Sequence, residues 1–283
     1  MKTYKEIKIK TEPFDVDLLS GFLWQLDIDG INEFDDYLLV FISENKSVSL
    51  EEINLLMEKL VEDKFINSFD IEFQTLEEKN WNEEYEKNVK VVEVTEKIVI
   101  KPSFKEYNPK PNQLVITIDP KMSFGTGDHA TTKLILSHLE KIVKGNEFVL
   151  DVGSGTGILG ITAVKLGAAK AICIDNDEWC YLNGNENVKM NELNEKVDVR
   201  LCEIKDVEEK DFDLILANIN KPILINIVDD LKIKLKKEGT LILSGLLNID
   251  EIDIISLYES KGFVLNDKSQ LEEWIALVFK TNS

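Results

Sequence analysis

Residues 4–10 alternate apolar and polar side chains, the two-residue period of a strand with one buried face. "FDVDLLSGFLWQL" (14–26) changes to helical spacing, and "YLLVFI" (37–42) reads as another strand. "SLEEINLLMEKLVED" predicts a second helix, with Ser49 as its N-cap and acids around its first turn. "SFDIEFQTL" (68–76) alternates again. With a short strand near 28–33 the order is βαββαβ, which predicts a small ferredoxin-like α+β domain over residues 1–76. That fold hosts many binding functions and specifies none.

"EEKNWNEEYEKN" follows, charged and without a core-sized apolar face. It predicts a solvated linker helix over 77–89, with Trp81 and Tyr85 four apart on one side. Residues 89–118 hold short β-rich stretches broken by the turn cluster "NPKPN". From 133 onward apolar strands alternate with helices: "FVLDVG", "KAICID", "VDVRLCEI", "FDLILANI" and "GTLILSGL" are the strands. "GFVLND" and "EWIALVFKT" close the pattern with no helix between them, so they should pair as an antiparallel hairpin. The second domain, 90–283, is therefore α/β: a Rossmann-like, mostly parallel, seven-stranded sheet with helices on both faces.

Bulk composition removes several function classes. No apolar run approaches the ~20 residues that cross a bilayer, and "MKTYKEIKIK" has lysines without the apolar stretch of a signal peptide. The net charge of −20 repels phosphate backbones, and Arg200 is the single arginine, so bidentate phosphate clamps are not expected. Such a surface suits a basic partner instead. Cys173, Cys180 and Cys202 lack metal-ligand or redox spacing and read as buried free thiols in a reducing cytoplasm. No metal site is expected.

Candidate chemistry concentrates in two stretches. "VLDVGSGTGILG" puts Asp151 at the end of a strand, then Gly153, Gly155 and Gly157 in the turn into a helix. Glycines there let the chain turn sharply and a ligand approach the backbone. Gly155, Gly157 and Gly160 spell the dinucleotide pattern, a weak signal alone. Asp175 ends the next strand, where an acid can accept both ribose hydroxyls of any adenosine ligand. Asp151 favours S-adenosylmethionine over a dinucleotide, because a carboxylate there can hold an ammonium but repels a pyrophosphate. "MSFGTGDHATT" (122–132) reads either as a helix N-terminus or as a loop over that site.

"FGTGDHATT", "LDVGSGTGILGITAVKLGA", "AICIDND" and "FDLILANI", in this order and spacing, resemble the bacterial ribosomal protein L11 methyltransferase family over nearly the whole chain. The resemblance implies a class I methyltransferase using S-adenosylmethionine, with Thr132, Gly153, Asp175 and Asn218 at cofactor-contact positions and Gly155 in the same turn. It implies methylation of lysine ε-amines and the N-terminal α-amine of large-subunit ribosomal protein eleven (L11), gripped by the N-terminal domain. A cytoplasmic monomer without membrane or direct nucleic-acid contact is expected. Asp128, and Asn220 in "ANIN", depart from the family pattern.

Asn218 is the residue expected nearest the transferred methyl, and no general base stands out, so no catalytic residue is assigned. The alternatives are a methyltransferase acting on another protein, RNA or a small molecule, a nicotinamide dehydrogenase, and a non-catalytic adenosyl-ligand-binding protein. "ANIN" lacks the prolines and aromatic of N-P-P-Y, which argues against glutamine and nucleobase-amine acceptors.

Overall fold

The computed structural model describes residues 3–43, 46–77, 90–119, 121 and 123–281. The chain divides into two compact units, Met1–Lys87 and Asn88–Ser283. Apart from Glu77, the expected linker helix 77–89 lies outside the described residues, as do Trp81 and Tyr85.

The first unit follows the order β1 (Thr3–Glu12), α1 (Val16–Leu23), β2 (Gly30–Glu33), β3 (Leu38–Ser43), α2 (Leu50–Glu62), β4 (Ser68–Glu77). Its sheet order is β2-β3-β1-β4, antiparallel throughout, the ferredoxin-like arrangement the patterning predicts. Alternation decides the faces: Ile7 and Ile9 of β1 and Leu38, Val40 and Ile42 of β3 are fully buried against Leu19, Leu23, Ile53 and Met57 of the helices. Ser49 caps α2 in a full capping box with Glu52, as the sequence indicates.

The second unit begins with a three-stranded sheet, β5 (Val92–Glu93), β6 (Ile98–Lys101) and β7 (Leu114–Thr117). The main sheet follows: α3 (Ala130–Ile142), β8 (Phe148–Val152), α4 (Ile158–Leu166), β9 (Lys170–Asp175), α5 (Glu178–Met190), β10 (Val197–Leu201), β11 (Phe212–Asn218), α6 (Lys221–Lys234), β12 (Leu235–Leu247), α7 (Glu251–Ser260), β13 (Phe263–Leu271) and β14 (Trp274–Thr281). Strand order is β10-β9-β8-β11-β12-β14-β13, parallel except where β14 pairs antiparallel with β12 and β13.

Both sheet faces are covered. Val149, Ala171 and Leu214 pack under α3 and α4; Leu150, Ile172 and Ile215 pack under α6 and α7. Strands buried on both sides explain why β8, β9 and β11 read as nearly continuous apolar runs. The helix α3 starts three residues before its apolar periodicity does, because His129 caps it. Strand β12 is longer than "GTLILSGL", extending to Leu235 and Leu247. Cys173 is buried as expected, whereas Cys180 and Cys202 are half-buried; all three are free thiols.

Candidate active site

The strand order reverses between β8 and β11, since the chain runs outward from β8 through β9 and β10 before returning to β11. In open α/β sheets such a switch point opens a crevice beyond the carboxyl ends of the strands, where ligands bind. Gly153, Asp175 and Asn218 follow or end β8, β9 and β11 respectively, all on that edge.

The turn after β8 is held by backbone bonds. The N–H groups of Gly153 and Ser154 donate to the Ile174 carbonyl at 2.9 and 3.0 Å, and the Gly155 N–H donates to Asp175 Oδ2 at 2.9 Å. Asp175 Oδ1 accepts from the Asp177 N–H at 3.0 Å. Burial raises the pKa of Asp175 while these N–H groups pull it back. Its carboxylate is thus fixed in place, each oxygen keeping acceptor capacity for a ligand.

The glycines serve the chain's own packing as well as any ligand. At Gly155, φ +53°, a Cβ would overlap the Phe124 carbonyl oxygen, and at Gly153, φ +68°, it would overlap the Ile219 side chain. The Phe124 carbonyl accepts from the Thr156 N–H at 3.0 Å, and Thr156 Oγ1 donates to the Gly125 carbonyl at 2.9 Å. The loop "FGTGDH" is therefore pinned across the glycine turn, and it ends in α3.

His129 caps α3: its Nδ1 accepts from the Thr131 N–H at 3.3 Å. Burial holds the imidazole pKa down at about 4, with the Lys133 charge adding to the effect. Its ring meets Phe124 and Trp274 edge-on, with centroids 5.3 and 4.9 Å away. Thr132, fully buried in the first turn of α3, accepts from Asn218 Nδ2 at 3.4 Å. Of the five candidates, Thr132 and Asn218 are thus joined directly, and so are Gly155 and Asp175. Gly153 meets the second pair through its own turn and the first through Ile219.

Asp151 is wholly buried, with Oδ2 accepting from the Gly160 N–H at 3.0 Å in the first turn of α4. That helix starts at a left-handed Gly157 with no side-chain cap, so a carboxylate from β8 meets one of its free N–H groups. Burial lifts the Asp151 pKa to about 7, and the Asp175 charge adds to it. Oδ1 of Asp151, Oγ of Ser154 and Oδ1 of Asn218 are buried without a hydrogen-bond partner. Unpaired buried acceptors along one strand edge are what a polar ligand or water would satisfy, so the residues fit an amine-bearing nucleoside.

Two departures from the family pattern have local explanations. Asn220 caps α6, accepting from the Ile223 N–H at 3.2 Å. Asp128 is exposed and paired with Lys133 at 2.7 Å. Missed entirely in the sequence was a ladder on α5. Asn183 and Asn191 donate to the carbonyls of Asp119 and Thr117, and Asn187 donates to that of Thr156, at 2.6–2.9 Å. Their four-residue spacing was the available signal: polar side chains on a face that should be apolar. The ladder ties the end of β7 and the glycine turn to one helix.

A family model described as ribosomal protein L11 methyltransferase (PrmA) matches residues 4–282. The chain belongs to the ribosomal protein L11 methyltransferase family. Among its relatives, the ribosomal protein L11 methyltransferase of Desulfotalea psychrophila is 32% identical over 99% of this chain and 98% of that protein. The one from Clostridium perfringens is 29% identical over 98% of each. The crystal structure of the ribosomal protein L11 methylase from Lactobacillus delbrueckii subsp. bulgaricus aligns with TM-score 0.64 at 30% identity, covering 68% of this chain and 99% of that one. The Rossmann-like methyltransferase fold is accordingly this chain's fold, and the chain is a methyltransferase.

No helix among the described residues is long and apolar enough to cross a membrane. Among the same residues, no three His, Cys, Asp or Glu side chains are grouped to hold a metal.

Proposed function

We propose that this protein transfers methyl groups from S-adenosylmethionine to lysine ε-amino groups and the N-terminal α-amino group of L11, in the cytoplasm. The observation that carries the reading is the meeting of the glycine turn, Asp175 and the Thr132–Asn218 pair on one strand edge at the switch point.

S-adenosylmethionine supplies a methyl group already activated by its positive sulfur. Asp175 would accept the ribose hydroxyls with the lone pairs that Gly155 and Asp177 leave free. Asp151 Oδ1 would take the ligand ammonium through a water. Asn218, steadied by Thr132, would accept an N–H of the attacking amine with Oδ1 and so aim its lone pair. Orientation of this kind can lower a barrier by ~7–11 kcal/mol.

A lysine amine must first shed a proton, at a cost of about 4–5 kcal/mol at neutral pH. His129 is not the group that takes it: its accepting nitrogen is committed to the α3 cap. The amine would therefore enter the site neutral, favoured there by partial desolvation. A surface of net charge −20 would draw in a basic ribosomal protein.

The test is mass spectrometry of purified L11 after incubation with the enzyme and isotopically labelled S-adenosylmethionine. Label on lysines and the N-terminus is expected. No label on L11, with cofactor binding intact, would direct the activity to another acceptor.

A further inference from the structure

We propose that His129 and Trp274 favour the N-terminal α-amine over lysine ε-amines by donating hydrogen bonds to the carbonyl oxygen of the acceptor's first residue. This rests on the proposed function and adds a specificity element to it.

The His129 tautomer is fixed by its surroundings. Nδ1 accepts from the Thr131 N–H and lies 2.8 Å from the Thr131 hydroxyl, which leaves the ring proton on Nε2. Nε2 is buried with no partner, and so is Nε1 of Trp274. The two rings are 4.9 Å apart at 67°. Two N–H donors are therefore desolvated on rings that meet edge-on, and native proteins rarely leave such groups unmet unless a ligand or water answers them.

Their position in the fold ties them to Asn218. Thr132, in the first turn of the helix that His129 caps, accepts from Asn218. Trp274 opens β14, and the carbonyl of the next residue, Ile275, accepts from Ser244. Ser244 is in turn the β12 register neighbour of Asn218. The region thus holds an unpaired acceptor, Asn218 Oδ1, together with the unpaired donors His129 Nε2 and Trp274 Nε1.

An N-terminal residue carries the complementary set in one unit, with amine hydrogens for the acceptor and its own carbonyl oxygen for the donors. A lysine ε-amine ends four methylenes without an oxygen nearby, so it engages Asn218 alone. The His129 and Trp274 donors then stabilise only the first kind of substrate. Because the imidazole stays neutral well below pH 7, the donor pair adds no positive charge to repel an incoming amine.

The test uses full-length His129→Asn, which keeps a favoured N-cap acceptor but loses the Nε2 donor, and Trp274→Phe, which keeps a ring but loses the N–H. After limited incubation with L11, mass spectrometry gives the ratio of α-amine to lysine methylation, and calorimetry gives S-adenosylmethionine affinity. Each variant is expected to lower the ratio about fivefold, the worth of one hydrogen bond, with cofactor affinity within about twofold. An unchanged ratio, or equal losses at both kinds of amine, overturns the proposal. So does a parallel fall in cofactor affinity, which would assign the donors to the cofactor. Failure of the unsubstituted enzyme to label L11 at all would instead remove the proposed function, and this selectivity with it.

Discussion

The carbonyl oxygen of Phe124 occupies the place where Gly155 would carry a side chain, and the Thr156 N–H holds it there at 3.0 Å. Two segments some thirty residues apart are thereby locked at a single missing methyl group. Gly155→Ala would have to move backbone and also hold φ +53°. It is expected to lose about 2 kcal/mol of stability and to weaken S-adenosylmethionine binding as the loop lifts. Urea denaturation and calorimetry check both, and a fully stable variant with unchanged affinity would contradict the packing described.

Thr132→Val keeps shape and burial but removes the acceptor for Asn218 Nδ2. The carboxamide is then free to turn. A fall in kcat of about tenfold is expected, equivalent to roughly 1.4 kcal/mol, with S-adenosylmethionine affinity less affected. Steady-state kinetics against a binding isotherm separates the two. If only affinity falls, Thr132 serves the cofactor directly instead of orienting Asn218.

Two buried groups pull the stability of the enzyme in opposite directions with pH. Asp151 has its pKa raised to about 7 by burial, so the folded state holds a proton there that the unfolded chain releases near pH 4. Its contribution declines as pH rises from 4 to 7 and is level above. His129 is depressed to about 4, so its contribution is present above pH 6.5 and is lost as pH falls toward 4. Relative to the unsubstituted protein, Asp151→Asn should gain up to about 4 kcal/mol between pH 4 and 7, and His129→Asn up to about 3 kcal/mol in the reverse direction. Denaturation curves at several pH values test this, and parallel curves for Asp151→Asn would show that the carboxyl is not held protonated.

Asn220 caps α6 two residues beyond Asn218. Asn220→Ala is expected to cost about 1 kcal/mol of stability and to lower kcat modestly, by loosening the strand end that carries Asn218. Asp128→Asn, at an exposed ion pair, should change stability by less than about 0.5 kcal/mol. Melting temperatures compare the pair directly; equal losses would mean that Asp128 does more than meet Lys133.

Much of this molecule was legible in its patterning. The alternation of β1 and the apolar runs of β8, β9 and β11 state which faces are buried, and the unbroken passage from β13 to β14 states their pairing. The all-apolar β3 does not name its buried face, and in β4 Phe73 stays half exposed despite the alternation. Long-range meetings between side chains were not legible. "DVGSGTG" reads as room left for a ligand, yet at Gly153 the chain itself fills the room with Ile219. Asn220, directly before a helix with proline in its first turn, carried a local N-cap signal. The asparagines along α5 and at its C-cap do not name their partners, because Thr117, Asp119 and Thr156 belong to other elements.

Strand β14 lies between β12 and β13, so β13 has no place in the sheet until the residues following it have docked. Trp274 opens that inserted strand. Strands β8 and β9 belong to consecutive parallel units, whereas Trp274 takes its place only through the antiparallel pairing of β14 with β12 and β13. The last strand of the chain thus completes the interior of the sheet, and a chain cut short after β13 would leave that strand without its neighbour.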